Sequence, residues 1–207
     1  MKVAKKRTYK SQIRQKQADV TRTRISSAAR KLLEEHGYAG MTVEAVAQKA
    51  GVAIATVYAI FGSKTGILSA IMDAARFGSQ YQDLVREAIQ TTEPRARLKF
   101  AARIARRIYE SESSVMDLLR GVGAVSPTLA HAESERDCQR YESQKMMIQY
   151  LVQTKSLRPG ITQQRARDIL WALTSRDLYR MLVRDRGWTN QEFESWLAET
   201  LVESLLG

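Results

Sequence analysis

The sequence is poor in the residues that form disulfides, bind metals or act as catalytic bases. Its 207 residues include one cysteine and two histidines. Cys138 alone excludes an intramolecular disulfide, and with His36 and His131 it offers no metal-ligand spacing, so we expect neither a metal nor a cofactor. No Ser/His/acid grouping can be assembled, and a lone Gly-x-Gly at 121–123 lacks the rest of a phosphate-binding loop. We therefore do not expect an enzyme.

Long apolar runs are also absent. No stretch reaches membrane-spanning length, and Met1 is followed by a basic, polar segment without an apolar h-region, so we expect no membrane span, no export signal and a cytoplasmic protein. Few prolines, few aromatics and no alternating strand-like segments predict an all-α chain. Helices are expected on either side of Gly51 and over about 19–36, 64–77, 79–91, 95–111, 114–124, 128–154, 163–174, 176–186 and 190–206.

Acidic residues are fewer than basic ones. The chain carries 33 Lys and Arg against 22 Asp and Glu, a formal net charge of +11, which points to a polyanionic partner. Residues 1–18 are expected to form a basic arm, disordered or loosely helical when free, that follows DNA phosphates or enters a minor groove. A solvated tail without a role is the alternative. Asp19 or Thr21 is expected to cap the first firm helix, and Gly37 to end it.

The stretch from Thr42 to Lys64 has the pattern of a helix-turn-helix. Gly51 supplies the left-handed backbone that a sharp turn between two helices requires. Thr42 is expected to cap the first of these helices. The side chains expected to face inward are small or apolar: Val46, Ala47, Ala50, Val52, Val57 and Ile60.

The residues from about Arg24 to Leu68 resemble the TetR family of transcriptional regulators. The resemblance rests on TVEAVAQKAGV followed by TVYAIFGSK, with a Tyr-x-x-Phe-x-Ser-Lys that is more restrictive than a bare helix-turn-helix. It implies a three-helix DNA-binding domain over 19–65 (motif about 43–62) and a larger helical ligand-binding and dimerisation domain over 66–207. It also implies a regulator, commonly a repressor, that binds a palindromic DNA operator as a homodimer and is released by a small-molecule effector. The DNA-contacting positions it implies are Thr42, Ile54, Ala55, Thr56, Tyr58, Ala59 and Lys64.

Two departures from the family pattern affect DNA reading. Ala53 stands where members often have a serine cap. Ile54, Ala55 and Ala59 offer no hydrogen bond to a base, so direct readout should be weak and phosphates, DNA shape and the basic arm should supply much of the affinity. An architectural, sequence-tolerant DNA-binding protein without an effector is therefore the alternative function.

The resemblance also implies a ligand pocket and a dimer interface in the larger domain. The residues that could line the pocket, each of which also fits an ordinary core, are Phe100, Ile104, Met116, Leu119, Tyr141, Met147, Trp171 and Tyr179. The expected interface, whose alternative is closure of the monomer's own core, consists of Leu170, Leu178, Leu182, Phe193, Trp196, Leu197, Leu201 and Leu205. We expect Cys138 to be buried, on one face of the 128–154 helix with Tyr141, Ile148 and Val152, and Thr189 to start the last helix with a capping box.

Overall fold

The protein is built from helices joined by short connections. The computed structural model describes the backbone of residues 3–77, 79–118 and 127–207, and the side chains of 17–73, 81–111, 127, 130, 131 and 134–207. Within these residues the only extended pairing is a single bridge between Leu157 and Leu206. The prediction of an all-α chain is confirmed. The helices are α1 Val3–Gly40, α2 Val43–Ala50, α3 Ile54–Phe61, α4 Lys64–Phe77, α5 Ser79–Gln90, α6 Pro94–Leu118, α7 Pro127–Ser143, α8 Lys145–Gln153, α9 Gln163–Leu173, α10 Arg176–Tyr179 with a π-helical continuation Arg180–Asp185, and α11 Asn190–Leu205.

The chain divides into two compact units. The first, called the head, contains α1 to α3 and α4 as far as Ala74, together with the end of α6 from Ser114 and the start of α7 as far as Leu129. The second, called the body, contains α5, α6 as far as Ser113, α7 from Ala130, and all later helices. The division falls inside α4, nine residues after the boundary between residues 65 and 66 that the family resemblance implies.

Helix α1 is longer than predicted. It begins at Val3, so Asp19 and Thr21 do not cap its start. The hydroxyl of Thr21 instead donates to the carbonyl of Gln17, four residues earlier, at 2.8 Å. This bond satisfies a threonine inside a helix, which explains why a residue typical of caps does not mark an end here. The helical stretch does break at Gly37, whose φ of 66° and ψ of −176° are non-helical, as predicted.

The predicted helix over 128–154 is two helices. A turn at Gln144 separates α7 from α8. Ile148 is fully buried, but Val152 is 41% exposed and Cys138 is also exposed. The prediction of a buried Cys138 on one continuous apolar face is therefore wrong. The expected break between 111 and 114 is wrong as well, because α6 continues to Leu118.

Four helices contribute to the core of the head, and small residues dominate where α2 approaches its neighbours. Ala47 is 2% exposed, one turn before Gly51, so α3 can lie close to α2. Val52 and Ile60 pack against this core while remaining partly exposed. The inward set predicted for the helix-turn-helix is thus confirmed. The buried members of the core are Ile25, Ala28, Ala29, Leu32, Leu33, Met41, Val43, Val46, Ala47, Ala50, Val57, Phe61, Ile67, Leu68, Ile71 and Met72.

The core of the body is centred on α11. The capping box that starts this helix is present: Thr189 Oγ1 accepts from the backbone N–H of Glu192, and the Glu192 carboxylate accepts from the N–H of Thr189. The aromatic rings of Tyr179 and Phe193 meet edge to face in this core at 5.1 Å between centroids. Residues from α6, α8 and α9 complete the cluster around α11.

Most of the residues predicted at a dimer interface lie inside this core instead. They are buried within the single chain because the apolar ridge of α11 packs on α9 and its neighbours. The buried residues are Leu170, Phe193, Leu197, Leu201 and Leu205. Leu178, Leu182 and Trp196 are only partly buried.

No single helix among the described residues is long and apolar enough to cross a membrane. One bent pair, Val43–Ala50 with Ile54–Phe61, meets the length and composition requirement, although its helices are bent by 109°. The pair is the helix-turn-helix itself, and several of its apolar side chains lie in the core of the head, so it is weak evidence for a membrane span.

Candidate functional site

The turn between α2 and α3 fixes the direction of the second helix. Gly51 has φ 62° and ψ 44°, the left-handed conformation, and its N–H donates to Gln48 O at 3.1 Å. The N–H of Val52 donates to Ala47 O at 3.0 Å, which completes a Schellman motif. A Cβ built on Gly51 would meet no atom within 4 Å, so glycine is favoured here by backbone torsion and not by crowding.

Helix α3 presents a mostly apolar face to solvent. Val57 and Phe61 are buried on its inner side. On the outer side Ile54 is 44% exposed and Tyr58 48% exposed, and Ala55 and Ala59 are exposed beside them. Thr56 lies at the edge of this face, half-buried. The structure thus brings together the five positions on α3 that the family resemblance implies.

Both helices of the motif start at an extended residue, but only one start is capped by a side chain. Thr42 Oγ1 accepts a hydrogen bond from the N–H of Ala45 at 3.1 Å, and Thr42 remains exposed. Ala53 has the same extended backbone and makes no side-chain cap bond. The first N–H groups of α3 are therefore left to solvent or to a bound anion.

Lys64 is held in place against the end of α1. Its Nζ lies 4.0 Å from the centre of the Tyr38 ring and donates to the carbonyl of Ala39 at 3.5 Å. Partial burial removes water from the ammonium group and lowers the pKa of Lys64 from its usual value. These contacts fix a cation at the start of α4, just after the exposed face of α3.

A second cation near α3 was missed by the sequence reasoning. The guanidinium of Arg22, on α1, lies 5.1 Å from the centre of the Phe61 ring at the end of α3. Arg22 lies three residues before the buried Ile25, so the two residues share one side of α1. This spacing was the signal in the sequence that could have identified Arg22. Lys49 differs, because its Nζ is paired with Glu35 at 2.5 Å.

The body contains a partly open cavity of about 320 Å³. Side chains from α5, α6, the α7–α8 junction and the end of α9 line it, and most of them are apolar. Its lining residues are Tyr81, Val85, Ala88, Ile89, Arg97, Ala101, Ile104, Ala105, Ile108, Tyr109, Gln139, Arg140, Ser143, Gln144, Met146, Met147, Leu170 and Thr174.

Two of the eight residues predicted for a ligand pocket, Ile104 and Met147, line this cavity. Phe100 borders a separate groove beside Lys99 and Glu194. Three others do not line the cavity, and Met116 and Leu119 lie outside the residues whose side chains the structure describes. Those three are Tyr141, Trp171 and Tyr179.

Two of the three aromatic residues that do not line the cavity, Tyr141 and Tyr179, make side-chain hydrogen bonds elsewhere in the body. The hydroxyl of Tyr141 donates to Asp168 at 2.9 Å. Tyr179 is buried, and its hydroxyl donates to Asn190 at 2.7 Å. Desolvation by burial raises the pKa of Tyr179 above its usual value. Helical spacing alone could not separate such core aromatics from cavity-lining ones.

The polar residues around the cavity are not all satisfied. Gln144 donates its Nε2 to Thr174 Oγ1 at 2.7 Å, but its Oε1 is buried and has no hydrogen-bond partner. The Nε of Arg97 is also buried without a partner, although its guanidinium lies 3.8 Å from the centre of the Tyr150 ring. In the described part of the chain, no group of three or more Cys, His, Asp or Glu side chains is placed to hold a metal ion.

Residues 25–71 match the model of the family described as bacterial regulatory proteins, tetR family. This match spans the end of α1, the helix-turn-helix and the first turns of α4. The resemblance to the TetR family that the sequence motif indicates is thereby confirmed. So is the arrangement of an N-terminal helix-turn-helix head followed by a larger helical body.

Relatives and solved structures resemble the chain over most of its length. An uncharacterized HTH-type transcriptional regulator of Mycobacterium tuberculosis strain H37Rv is 27% identical over 195 residues, which are 88% of this chain and 87% of the relative. A complex of SmeT with triclosan has a TM-score of 0.70 at 20% identity, over 91% of this chain and 92% of that one. The regulator FadR of Bacillus subtilis, in complex with stearoyl-CoA, has a TM-score of 0.68 at 16% identity, over 88% and 98%. These two structures share the fold with this chain.

Proposed function

From a TetR-type head joined to a helical body with a cavity, we propose that this chain is a ligand-responsive transcriptional repressor. It binds duplex DNA through α3, and a small molecule in the body cavity releases the DNA. The observation that carries the proposal is the exposed face of α3, held by the Gly51 turn inside a segment that matches the family. The proteins in two solved structures of this fold hold triclosan and stearoyl-CoA, which supports a small-molecule effector here.

Each residue of the proposed DNA contact has a separate role. Thr56 and Tyr58 offer hydroxyl groups from α3 to phosphates or base edges. Thr42, at the start of α2, offers its hydroxyl or the neighbouring backbone N–H to a phosphate. Lys64, fixed against Tyr38, meets the backbone as a point charge. Ile54, Ala55 and Ala59 pack against thymine methyl groups in the major groove.

Phosphates and DNA shape supply much of the affinity in this proposal. The outer face of α3 has no side chain able to make the bidentate hydrogen bonds that identify guanine or adenine. Basic residues are concentrated at the start of α1, where residues 1–18 follow the backbone or a minor groove. Arg22, beside the end of α3, adds a further cation that can reach a phosphate.

The chain acts as a homodimer in this proposal. Two copies related by a two-fold axis present their α3 helices to successive major grooves, about 34–36 Å apart, and so require a palindromic operator. The second copy contacts the partly exposed surface around α10 and its π-helical continuation. Leu178 and Leu182 are partly buried residues of this surface, and Met181, next to Leu182 in the chain, is 44% exposed. Trp196, on α11, is the third predicted interface residue that is only partly buried.

DNA release follows from a shift between two states of the dimer. A ligand that binds more tightly to the state in which the two α3 helices do not match the groove spacing lowers the population that can hold DNA. The effect is limited by the difference in ligand affinity between the two states. DNA binding by residues 19–65 and ligand binding by residues 66–207 act on the same equilibrium between the two states of the dimer. Both take place in the cytoplasm, where the DNA lies. No cofactor or metal enters this cycle.

Site selection from random duplexes, followed by footprinting across a salt series, tests the proposed function. We expect a short palindromic protected site whose occupancy survives salt better than that of unrelated DNA. The exposed apolar face of α3 offers few hydrogen bonds to bases, which favours one alternative: a sequence-tolerant architectural protein without an effector. Even coverage of all duplexes with steep salt dependence would support that alternative and overturn the regulator.

A further inference from the structure

The described charged side chains that line the cavity in the body are all positive. Two arginines, Arg97 and Arg140, line it, and no Asp or Glu is among its lining residues in the described part of the chain. Arg140 is already occupied: it donates to the carbonyl of Trp171 at 2.6 Å and to the carboxylate of Asp137 at 3.2 Å. The guanidinium of Arg140 is therefore already paired within the protein.

Arg97 has no such neutralising partner. Its Nε is buried without a hydrogen-bond acceptor, and its guanidinium contacts only the face of Tyr150 among the interactions of the described residues. The nearest acid along the chain, Glu93, uses its carboxylate to cap α6 by accepting from the backbone N–H of Arg95 at 2.8 Å and from that of Ala96. Arg97 as a whole is only half-buried, and its guanidinium borders a mostly apolar cavity with no carboxylate among the described lining residues, so an anion in the cavity can form the charge-assisted pair that the protein itself does not supply.

We infer that the cavity takes a compact, mostly apolar molecule that carries one anionic group, and that this group is bound by Arg97. This inference rests on the proposed function, since it names the chemical class of the effector. A volume of about 320 Å³ suits a small ligand and lies at the lower end of the range for such sites. Cationic molecules are disfavoured, because they would meet Arg97 with no acid among the described lining residues to balance them.

Calorimetric titration of the full chain with decanoate, 1-decanol and decylammonium tests the inference. The three probes share one alkyl chain and differ in head-group charge. We expect decanoate to bind at least about tenfold more tightly than either of the others, because a charge-assisted hydrogen bond to Arg97 forms only with the carboxylate.

Two variants locate the effect. Arg97→Met keeps an apolar stem, and in this variant decanoate should bind no more tightly than 1-decanol. Lys99→Met, on the same helix but bordering the separate groove with Phe100, removes the same charge and should keep the wild-type preference. Thermal melting checks that both variants are folded. If Arg97→Met does not fold, the order of the three probes on the wild-type chain decides by itself.

The inference is wrong if decylammonium binds as tightly as decanoate, if none of the three probes binds, or if Arg97→Met keeps the preference for decanoate. Its failure is distinct from failure of the proposed function. A chain that prefers decanoate but never binds DNA contradicts the regulator and supports the ligand class. A chain that binds palindromic DNA without any preference among the probes contradicts only the ligand class.

Discussion

Single residues decide how well the reading helix is held. Gly51 ends α2 with a backbone conformation that few other residues adopt, and Thr42 caps the same helix with its hydroxyl. Ala53, at the start of α3, has the extended backbone of an N-cap residue, but its side chain cannot accept the capping hydrogen bond. The sequence identified all three features correctly, because caps and left-handed turns depend on a few neighbouring residues.

Ala53→Ser should stabilise the protein. Its backbone, with φ −70° and ψ 146°, already matches a serine cap, so the new hydroxyl can accept from an N–H in the first turn of α3 without rearrangement. We expect an increase of about 1 kcal/mol in the free energy of unfolding, measured in urea. Ala55→Ser, an exposed change within the same helix, is the control and should give no increase. Equal values for Ala53→Ser and the wild type would contradict the capping argument.

At the scale of helices, sequence periodicity shows which side of a helix is apolar but not what covers that side. The ridge on α11 that contains Phe193 and Leu201 was predicted to meet a second subunit, yet α9 and other helices of the same chain cover it. The break at Gln144 was also missed, since no proline or glycine marks it. Cys138, predicted to be buried, is exposed. Such outcomes depend on contacts between distant segments, which local pattern does not contain.

Cavity residues were the hardest part of the site to predict. Ile104 and Tyr179 both fit an apolar helical stripe, but only the first lines the cavity. Tyr179 instead packs edge to face against Phe193 in the core, and its hydroxyl donates to Asn190 at the start of α11. The residues on the outer face of α3 could be predicted from the sequence, since a short helix with one buried face leaves a single face exposed.

The capping box of α11 makes a prediction about pH. Hydrogen bonds from the backbone and side chain of Thr189 lower the pKa of Glu192. A carboxyl whose pKa is lower in the folded state stabilises the fold above its unfolded pKa, and this stabilisation is lost as the pH falls through the folded value.

Glu192→Gln should therefore melt at a lower temperature than the wild type at neutral pH, and the gap should close as the pH falls below about 4. Melting curves of both proteins across this range measure the gap. Glu203→Gln, exposed on the same helix and outside the cap, is the control and should show no comparable gap. A Glu192→Gln gap that is independent of pH would argue against the proposed role of the charge.

For the molecule as a whole, the proposal depends on two copies acting together. Several large apolar side chains of α11, among them Phe193 and Leu201, are buried in the chain's own core, so we look for the partner surface among the more exposed residues of the body. Met181 satisfies this condition in the π-helical continuation of α10, a kind of segment that is often found at functional positions.

Met181→Glu should convert the dimer into a folded monomer. A buried charge at an interface is costly, while the same charge on an exposed residue of a monomer is tolerated. Sedimentation velocity measures the change, and thermal melting shows that the fold is retained. Val152→Glu, which alters a residue of the body that is 41% exposed, should leave the dimer intact. A Met181→Glu protein that sediments as the wild type does would place the partner surface elsewhere.

The central claim is that the exposed face of α3 binds DNA, and a binding titration with Tyr58→Ala tests it most directly. The DNA is the site selected by the wild-type chain, and Val152→Ala serves as the control. Tyr58 is 48% exposed, so its removal should leave the melting temperature nearly unchanged. We predict at least about tenfold weaker DNA binding for Tyr58→Ala, and wild-type binding for Val152→Ala. Equal DNA affinity in the folded Tyr58→Ala protein and the wild type would contradict the claim.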